Sequence, residues 1–322
     1  MNENKKEEIP SLFIKGDSIP QTHYRAIFAV HNYGYNLRTQ YDRKDSKGNF
    51  IDPPGKDARV FIEIKNVFTE PRFSPLSFCE IGKYIAEFLG AKDHLVVPYK
   101  KLLEMIKEGK EFSSREWPYC YHQRLTAYPK SDGTTLNQLE IITEKLAKDS
   151  LTRRAVAVTA IPEIDLFMKE DQPCLREIQL RTVENKDGEL ILHMFARWRS
   201  RDLYKAWADN LIGISNLYRV LASMLSEKTG RKVIIGPYSE ENGSLHIYGQ
   251  DYTTKGMAVF FKRFPTEKEF IERAMKSEDV LEKRVLPELK ELREEKYWNF
   301  TDREINIIDN LIKDFELKKY LP

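Results

Sequence analysis

The sequence predicts a fold of the α/β (α+β) class, with a mixed β-sheet and flanking helices. Residues 59–64 alternate between polar and β-branched or aromatic side chains, as a half-buried strand does. Two more strand-like stretches, 174–181 and 190–197, are joined by the turn sequence Asn185-Lys186-Asp187-Gly188, which predicts a hairpin. Residues 136–147 carry apolar side chains at helical spacing. Helices interspersed with hairpin-like strand pairs favour this class.

The other elements follow in chain order. Residues 26–38 predict a strand or an irregular segment, and residues 43–56, rich in Asp, Lys, Gly and Pro, predict a surface loop. A helix is predicted from Leu76 to Leu89, with Gly90 suited to the position after its last turn. The remaining predictions are a helix at 100–108, a strand at 155–160, an amphipathic helix at 212–226, a short strand at 245–248 and a mostly helical segment beyond Thr266.

The composition is that of a globular protein. Hydrophobic residues make up 41% of the 322 positions, which is enough to bury a substantial core. Charged residues make up 32%, but the net charge is only +2 and both signs are interspersed, which argues against a nucleic-acid partner. Residues 1–9 lack an apolar signal region, and no apolar stretch is long enough to cross a membrane. We therefore expect a soluble, cytoplasmic protein.

The three cysteines, Cys79, Cys120 and Cys174, lie far apart in the sequence. This distribution argues against a disulfide framework or a structural zinc site, and we expect no metal. Cys174 stands between two arginine-rich segments, 152–154 and 199–201. A nearby guanidinium favours the ionised, nucleophilic form of sulfur, so Cys174 is a candidate nucleophile. The alternative is a buried structural cysteine in an apolar strand.

Several short motifs around Cys174 follow one another in a fixed order. They are Tyr119 through Pro129 with Asp132-Gly133, Asn137-Gln138-Leu139, Thr152-Arg153-Arg154, Pro173-Cys174 with Gln179, Arg199-Ser200-Arg201-Asp202, Asn210, His246-Ile247-Tyr248, and Asp314-Phe315 leading to Tyr320-Leu321-Pro322. With these motifs the chain resembles the thymidylate synthase family over roughly residues 59–250, with a further similarity at its C-terminus. Each motif alone is weak, and the shared order makes the resemblance specific.

The resemblance implies folate-dependent one-carbon transfer to C5 of a pyrimidine nucleotide. The Cys174 thiolate would add to C6 of the base and turn C5 into an enolate-like carbon that attacks the one-carbon unit. The substrate would be a pyrimidine nucleoside monophosphate, and the cofactor 5,10-methylenetetrahydrofolate or a related reduced pterin. The family's paired arginines act across a subunit interface, so the resemblance also implies a sheet-to-sheet homodimer.

The resemblance carries site residues with it. The catalytic residues would be Cys174, Tyr119, Glu80, Asp202 and Asn210, and the substrate-binding residues would be Arg59, Arg153, Arg154, Gln179, Arg199, Ser200, Asn210, His246 and Tyr248. Arginines and Ser200 would hold the phosphate, Asn210 would pair with the base, and Tyr119 would help to move the C5 proton. His246 and Tyr248 would hold the sugar. Arg38 is the rival of Arg59 for the N-terminal anion-binding position.

Structural interpretations compete with these roles. A histidine on an alternating strand is more often structural than functional, and an aromatic run is often plain packing. The competing interpretations are a structural His246, a packed Tyr119, an N-cap role for Asn210, a surface ion pair between Arg199 and Asp202, and a solvated Arg153-Arg154 pair. The shared order of the motifs favours the functional roles.

Four features depart from the ordinary thymidylate synthase pattern. Leu175 follows the nucleophile where the family commonly has His, and Trp198 replaces a usual glutamine. Counting back from Gly90 places Tyr84 at the position of the catalytic glutamate, with Glu80 and Glu87 on either side. The sequence also stops where the family has a C-terminal tail that closes over the folate. Because such closure excludes water, a missing tail would favour hydroxymethylation.

We therefore expect a thymidylate synthase that converts dUMP to dTMP. The alternative is a dCMP or CMP 5-hydroxymethylase, in which Asp209 instead of Asn210 would read the base. A third possibility, from another class, is a catalytically inactive nucleotide-binding homologue. We expect an N-terminal extension at 1–58, a catalytic core at 59–252, and a C-terminal helical part of the same domain at 253–322.

Overall fold

The structure, a computed structural model, describes residues 8–130, 132–169, 172–253 and 256–318. Its strands are β1 Ser11–Gly16, β2 Tyr35–Leu37, β3 Gly55–Ile64, β4 Tyr128–Pro129, β5 Thr135–Leu136, β6 Val156–Val158, β7 Leu175–Glu184, β8 Leu190–Trp198, β9 Arg201–Asp202 and β10 Val233–Ile247. Its α-helices are α1 Ile19–Tyr33, α2 Ile81–Phe88, α3 Tyr99–Glu108, α4 Tyr121–Thr126, α5 Gln138–Lys148, α6 Pro162–Asp165, α7 Trp207–Thr229, α8 Gly249–Thr253, α9 Met257–Arg263, α10 Glu267–Glu272, α11 Ser277–Val280, α12 Leu286–Glu294 and α13 Asp302–Glu316.

The described chain divides into two compact units, neither of which is continuous in sequence. The first unit contains residues 8–78, 198–211 and 238–276. The second contains residues 79–197, 212–237 and 277–318, apart from the undescribed positions. Helix α7 and strands β8 and β10 contribute residues to both units.

The first unit is built on a mixed sheet around β3. Strand β1 runs parallel to β3, and the second part of β10 runs antiparallel to it. The short strands β2 and β9 pair with β3 and β10. Val60, Ile62 and Ile64 are fully buried on one face of β3, which confirms the strand predicted at 59–64.

The prediction of a strand or an irregular segment at residues 26–38 was wrong for residues 26–33, which belong to helix α1, and is confirmed at Tyr35–Leu37, which form β2. The Ser18 side chain accepts a hydrogen bond from the N–H of Gln21 and caps the helix start. Ile19, Ile27 and Val30 are completely buried on one side of the helix. The local content of aromatic residues suggested a strand, but the cap and the first apolar positions lie upstream of the segment that was considered.

The second unit carries the other strands of the mixed sheet. Its order is the first part of β10, then β8, β7 and β6, and β6 runs antiparallel to β7. Strands β7 and β8 form the predicted hairpin, with the N–H of Gly188 bonded to the carbonyl of Asn185 in the turn. Gly188 has a φ of 77°, which glycine adopts without strain.

Helices flank the strands, and the structure confirms the helices predicted near 100–108, 136–147 and 212–226. Leu139, Ile142 and Leu146 are buried on one face of α5, as their spacing predicted. Helix α2 begins at Ile81, later than the predicted Leu76. The preceding residues fold differently because the Ser77 hydroxyl and the Phe78 N–H donate to the carboxylate of Asp209.

The mixed sheet and its helices confirm the predicted α/β class. None of the helices within the described ranges is both long and apolar enough to cross a bilayer. Ser131 of the predicted turn and the motif residues Tyr320, Leu321 and Pro322 lie outside the described residues.

Candidate active site

In the first unit, the Arg199-Ser200 segment lies beside the end of β10. Arg199 is exposed and Ser200 is half-buried, directly after β8. The Ser200 Oγ lies 3.5 Å from His246 Nδ1, and Asp202 on β9 is the register partner of His246 on β10. Tertiary structure therefore brings together four predicted residues that sequence separates: Ser200, Asp202, His246 and the neighbouring Tyr248.

His246 is buried between polar groups of its own unit. The Ser244 hydroxyl lies 3.2 Å from its Nδ1, and the Tyr248 ring packs against its ring at 4.5 Å between centroids. Its Nε2 is buried and has no hydrogen-bond partner within the described chain. Burial lowers the pKa of His246 to about 4, so the ring is neutral at neutral pH.

Asp202 shapes the backbone that follows it. Its Oδ1 accepts hydrogen bonds from the N–H groups of Tyr204 and Lys205, both at 2.9 Å. Burial raises the pKa of Asp202 to about 6, although these hydrogen bonds and Lys205 favour the charged form. Asp202 does not form the predicted alternative, a surface ion pair, because its carboxylate is largely buried against backbone amides.

Asp209 and Asn210 have different environments. Asp209 is buried, and its carboxylate accepts from the Ser77 hydroxyl at 2.5 Å and from the Phe78 N–H at 3.2 Å. Asn210 is half-buried in the first turn of α7, which begins at Trp207, so it is not the N-cap of that helix. Asp209 thus serves the fold, and Asn210 remains the candidate reader of the base.

Of the two candidate N-terminal arginines, one is held within a loop. Arg38 donates to the Asp42 carboxylate at 3.1 Å and to the Asp52 carbonyl at 2.7 Å. Arg59 is exposed on β3. These contacts give Arg38 a structural role. The exposed Arg59 is therefore the better candidate for binding an anion.

In the second unit, Cys174 lies immediately before β7 and is half-buried. Its backbone N–H and that of Leu175 donate to the Tyr121 hydroxyl oxygen at 3.3 and 3.4 Å. Arg176 donates to the Pro173 carbonyl and to the Asp165 carboxylate, both at 3.3 Å. The start of the strand is therefore fixed on both sides of the candidate nucleophile.

Sequence reasoning missed Tyr121. It named Tyr119, whose ring lies 5.7 Å from that of Tyr121 and packs with the apolar cluster around Val97 and Ile164. The hydroxyl that reaches the backbone of Cys174 belongs to Tyr121. The only sequence signal was the aromatic run itself, and spacing could not choose between its two tyrosines.

The predicted Glu80 is the N-cap of α2, and its side chain is 62% exposed and paired with Lys83 at 2.9 Å. Glu87 lies two turns further along the same helix. Glu80 and Glu87 both line a cavity of about 230 Å³. Burial raises the pKa of Glu87, while Lys92, at 3.3 Å, opposes the shift. A carboxyl group with a raised pKa in a cavity is the better candidate for proton transfer. The sequence alone, with Glu80 and Glu87 on either side of Tyr84, predicts Glu80.

Arg153 and Arg154 are exposed on the segment before β6. The Gln179 side-chain amide donates to the Arg153 carbonyl at 3.0 Å, so Gln179 holds this segment against β7. The structure therefore places three of the predicted substrate-binding residues together on one edge of the second unit. The two guanidinium groups are presented to solvent there.

Cys120, another cysteine of the second unit, is more deeply buried than Cys174. Cys120 is 4% exposed and donates its S–H to Asp93 at 3.0 Å. Burial and the neighbouring carboxylate raise the pKa of Cys120 well above its ordinary value, which keeps it protonated and unreactive.

The family profile described as "Thymidylate synthase" matches residues 107–322, which is more than half of the chain. The chain belongs to the thymidylate synthase family. This confirms the family to which the motif order pointed.

Two archaeal relatives carry the name "Putative thymidylate synthase". The chain is 36% identical over 140 residues to one from Methanocaldococcus jannaschii, and the match covers 42% of this chain and 58%, less than two thirds, of that protein. It is 31% identical over 239 residues to one from Methanosarcina barkeri, covering 74% of this chain and 90% of that protein.

A third relative has a different named activity. The chain is 28% identical over 228 residues to the deoxyuridylate hydroxymethyltransferase of Bacillus phage SP01, covering 65% of this chain and 55% of that protein. The chain is therefore similar to proteins named for two different activities, thymidylate synthesis and deoxyuridylate hydroxymethylation.

Proposed function

We propose that this protein is a folate-dependent one-carbon transferase that acts on C5 of a pyrimidine nucleotide and, specifically, a thymidylate synthase that converts dUMP to dTMP. The family match, with Cys174 placed at the start of β7, carries the proposal. In this proposal the catalytic core is residues 59–252, and residues 253–322 belong to the same domain.

Cys174 is the nucleophile in this proposal. Its thiolate adds to C6, and the electron pair of the C5–C6 double bond moves toward C5 and the O4 carbonyl. C5 can then attack an electrophilic one-carbon unit. The hydrogen bonds from the backbone N–H groups of Cys174 and Leu175 to Tyr121 support this role, because they fix the backbone from which the Cys174 side chain projects.

The anion-binding residues are Arg59, Arg153, Arg154, Arg199 and Ser200. Arginine presents several N–H donors in a planar fork that suits a phosphate dianion. Arg153 and Arg154 are exposed, and they act on the phosphate of the partner subunit in this proposal. Gln179 supports them through the Arg153 carbonyl.

The base is uracil in this proposal. Asn210 can donate to O4 and accept from N3–H, because an amide has both kinds of group. A cytosine reader would instead use a carboxylate. Asp209 is the neighbouring carboxylate, and its engagement with Ser77 and Phe78 argues against that role.

The carrier is 5,10-methylenetetrahydrofolate or a related reduced pterin, which supplies the one-carbon unit. We assign a cavity of about 460 Å³ in the second unit to the aromatic and anionic parts of such a molecule. Ile106, Phe112 and Phe167 provide apolar walls, and Lys169 provides positive charge. The same lining holds the Glu111 carboxylate and Lys110, which is paired with Glu108. Glu87 exchanges protons near the reacting ring, with Tyr119 as the helper at C5.

The enzyme is a homodimer in this proposal. Phe13 and Phe61 are 63% and 37% exposed, and their rings stack at 5.6 Å on the outer face of β1 and β3. In this proposal the exposed aromatic pair, with the Lys15–Glu63 ion pair beside it on the same face, forms part of the interface. Light scattering should give about twice the 37.9 kDa chain mass, and Phe61→Lys should lower it, with Phe28→Lys on α1 as the control.

The deciding experiment is mass spectrometry of the products. The purified protein is incubated with methylenetetrahydrofolate and, separately, dUMP, dCMP, UMP or CMP. A product heavier by one methylene unit, with dihydrofolate formed alongside, supports thymidylate synthesis. Absence of any product with all four nucleotides contradicts the proposal and favours an inactive nucleotide-binding homologue.

The second candidate is a pyrimidine nucleotide 5-hydroxymethylase. Similarity to the phage hydroxymethyltransferase favours it. In the same experiment it would add one formaldehyde unit without oxidising the folate. Reaction with dUMP would keep Asn210 as the base reader, whereas reaction with dCMP or CMP would assign that role to a carboxylate.

A further inference from the structure

Asp57, Ser244 and His246 form a hydrogen-bonded chain in the first unit. Asp57 on β3 lies directly opposite His246 on β10. The Ser244 hydroxyl lies 2.6 Å from Asp57 Oδ2 and 3.2 Å from His246 Nδ1. At the far end of the chain, His246 Nε2 is buried without a hydrogen-bond partner from any described residue.

The chemistry of the three groups fixes the direction of the protons. An ionised carboxylate only accepts hydrogen bonds, so Ser244 gives its single hydroxyl hydrogen to Asp57. The Ser244 oxygen is then an acceptor toward His246, and Nδ1 carries a hydrogen. Because a neutral imidazole has only one N–H, Nε2 is left with a lone pair.

The charge state of His246 agrees with this order. Burial lowers the pKa of His246 to about 4, and the charge of Arg199 acts in the same direction, so the ring is neutral near pH 7. Burial raises the pKa of Asp57, while the hydrogen bond from Ser244 favours its charged form. A protonated Asp57 would reverse the chain, and the first experiment below detects that state.

The sugar contact of His246 is the one that the family resemblance implies. We propose that Asp57 and Ser244 are positioning residues that hold His246 as the Nδ1–H tautomer and so make its Nε2 the acceptor in that contact. The proposal rests on the proposed function for the identity of the ligand. In dUMP the available donor is the 3′-hydroxyl. A phosphate ester or a hydrogen at that position offers no donor, so Nε2 selects against both.

The same tautomer defines what Ser200 can do. Its Oγ lies 3.5 Å from the Nδ1 that carries the hydrogen, so it faces the ring as an acceptor. The Ser200 hydroxyl hydrogen is then directed elsewhere and can be donated to a phosphate oxygen. One proton arrangement therefore serves both the sugar and the phosphate.

The first test measures the tautomer directly. The ligand-free protein, labelled with ¹⁵N-histidine, is examined by long-range ¹H–¹⁵N NMR at neutral pH, and His246→Gln identifies the His246 signals. His23 is an internal reference, since its Nε2 faces the Leu203 carbonyl and must carry the hydrogen. We expect the opposite tautomer at His246. An Nε2–H or doubly protonated His246 would overturn the proposal.

The second test measures the preference for the hydroxyl. Calorimetry compares the affinity for dUMP with that for its 3′-deoxy analogue. The wild-type protein should prefer dUMP by about ten- to a hundredfold, because the analogue leaves a buried acceptor unpaired. In Asp57→Asn and Ser244→Ala the preference should fall to about threefold or less. An unchanged preference in both variants would overturn the proposal.

Ser74→Ala is the matched control. It removes a hydroxyl that lies 2.8 Å from Nδ1 of the other buried histidine, His23. It should lower the melting temperature and leave the preference for the 3′-hydroxyl unchanged. If the wild-type protein binds neither nucleotide, the proposed function fails, but the tautomer measurement still decides the proton order at His246.

Discussion

His23 and His246 are both buried histidines of the first unit, and both have a pKa lowered to about 4, chiefly by burial. His23 is completely satisfied, because Nδ1 lies 2.8 Å from the Ser74 hydroxyl and Nε2 lies 2.8 Å from the Leu203 carbonyl. His246 has polar partners at Nδ1 alone in the part of the chain that the structure describes.

The difference shows what distinguishes a structural from a functional buried side chain. Burial and a shifted pKa are common to both histidines, so neither property identifies a site. An unpaired buried nitrogen destabilises the fold, and a ligand that supplies the missing donor recovers that free energy. What distinguishes His23 from His246 is therefore whether both ring nitrogens have hydrogen-bond partners. The same kind of comparison applies to other residue types.

The largest expected effect concerns the two thiols of the second unit. Cys174→Ser should lower turnover of the nucleotide about a thousandfold or more, because it removes the proposed nucleophile. Cys120→Ser should retain most of the activity, since a serine hydroxyl can also donate to Asp93 and accept from the Gln123 N–H, as the buried thiol does. Product formation with dUMP measures both. Full activity in Cys174→Ser would contradict its assignment as the nucleophile.

Replacing His23 should destabilise the fold more than replacing His246. His23→Ala should lower the free energy of unfolding by about 3 kcal/mol, because it leaves a cavity and two buried groups without their partner. His246→Ala should cost about 1 kcal/mol and chiefly weaken nucleotide binding. Urea denaturation at constant m-value measures the first effect. Equal losses of stability would show that both histidines are structural.

The comparison extends to a carboxyl group, because Asp202 is the register partner of His246. Burial raises the folded-state pKa of Asp202 from an ordinary 3.8 to about 6. Its contribution to stability is complete below pH 3.8 and is lost as the pH rises to about 6, since the charged form is disfavoured in the fold. The loss is at most about 3 kcal/mol.

Asp202→Asn should flatten the stability profile between pH 4 and 6 and keep both backbone hydrogen bonds, which use a single oxygen. Urea denaturation across this pH range measures the change. Asp45→Asn is the control, because hydrogen bonds from Asn49 lower the pKa of that exposed carboxyl and give the opposite sign. An unchanged slope in Asp202→Asn would show that another group dominates.

Glu80 at the N-cap of α2 and Glu87 within α2 provide the next contrast. Glu87→Gln should lower kcat about a hundredfold, because an amide cannot exchange protons as a carboxyl group does, and burial raises the pKa of this carboxyl group. Glu80→Gln should change kcat by less than about threefold, since its exposed side chain pairs with Lys83. Steady-state kinetics of both variants decides between them. The reverse ranking would restore Glu80 as the catalytic residue.

The smallest expected effect concerns two tyrosine hydroxyls. Tyr121→Phe should lower kcat about tenfold, because two backbone N–H groups at the nucleophile lose their acceptor. Tyr128→Phe is the matched control, because its hydroxyl donates to the Ala160 carbonyl at 2.7 Å. The rate at which iodoacetamide alkylates Cys174 should change only in Tyr121→Phe. Equal rates in both variants would limit Tyr121 to packing.

The sequence by itself determined the family, the hairpin and several helices. These depend on local information: alternation along β7 and β8, the turn at 185–188, and the 3.6-residue period of α5. The motif order around Cys174 is also a property of the chain alone. Helix α1 was missed because its cap and first buried residues lie outside the segment that was considered.

Tertiary structure decided the surroundings of residues that spacing could not distinguish. Tyr121 bonds to the backbone at Cys174 whereas Tyr119 packs in an apolar cluster, and Glu87 is half-buried whereas Glu80 is exposed. The hydrogen bonds that link Asp57, Ser244 and His246 could not be predicted from the sequence. Asp57 and Ser244 are 187 positions apart and come together only when β10 pairs with β3. Local propensity acts over a few residues, whereas hydrogen-bond partners are set by strand register.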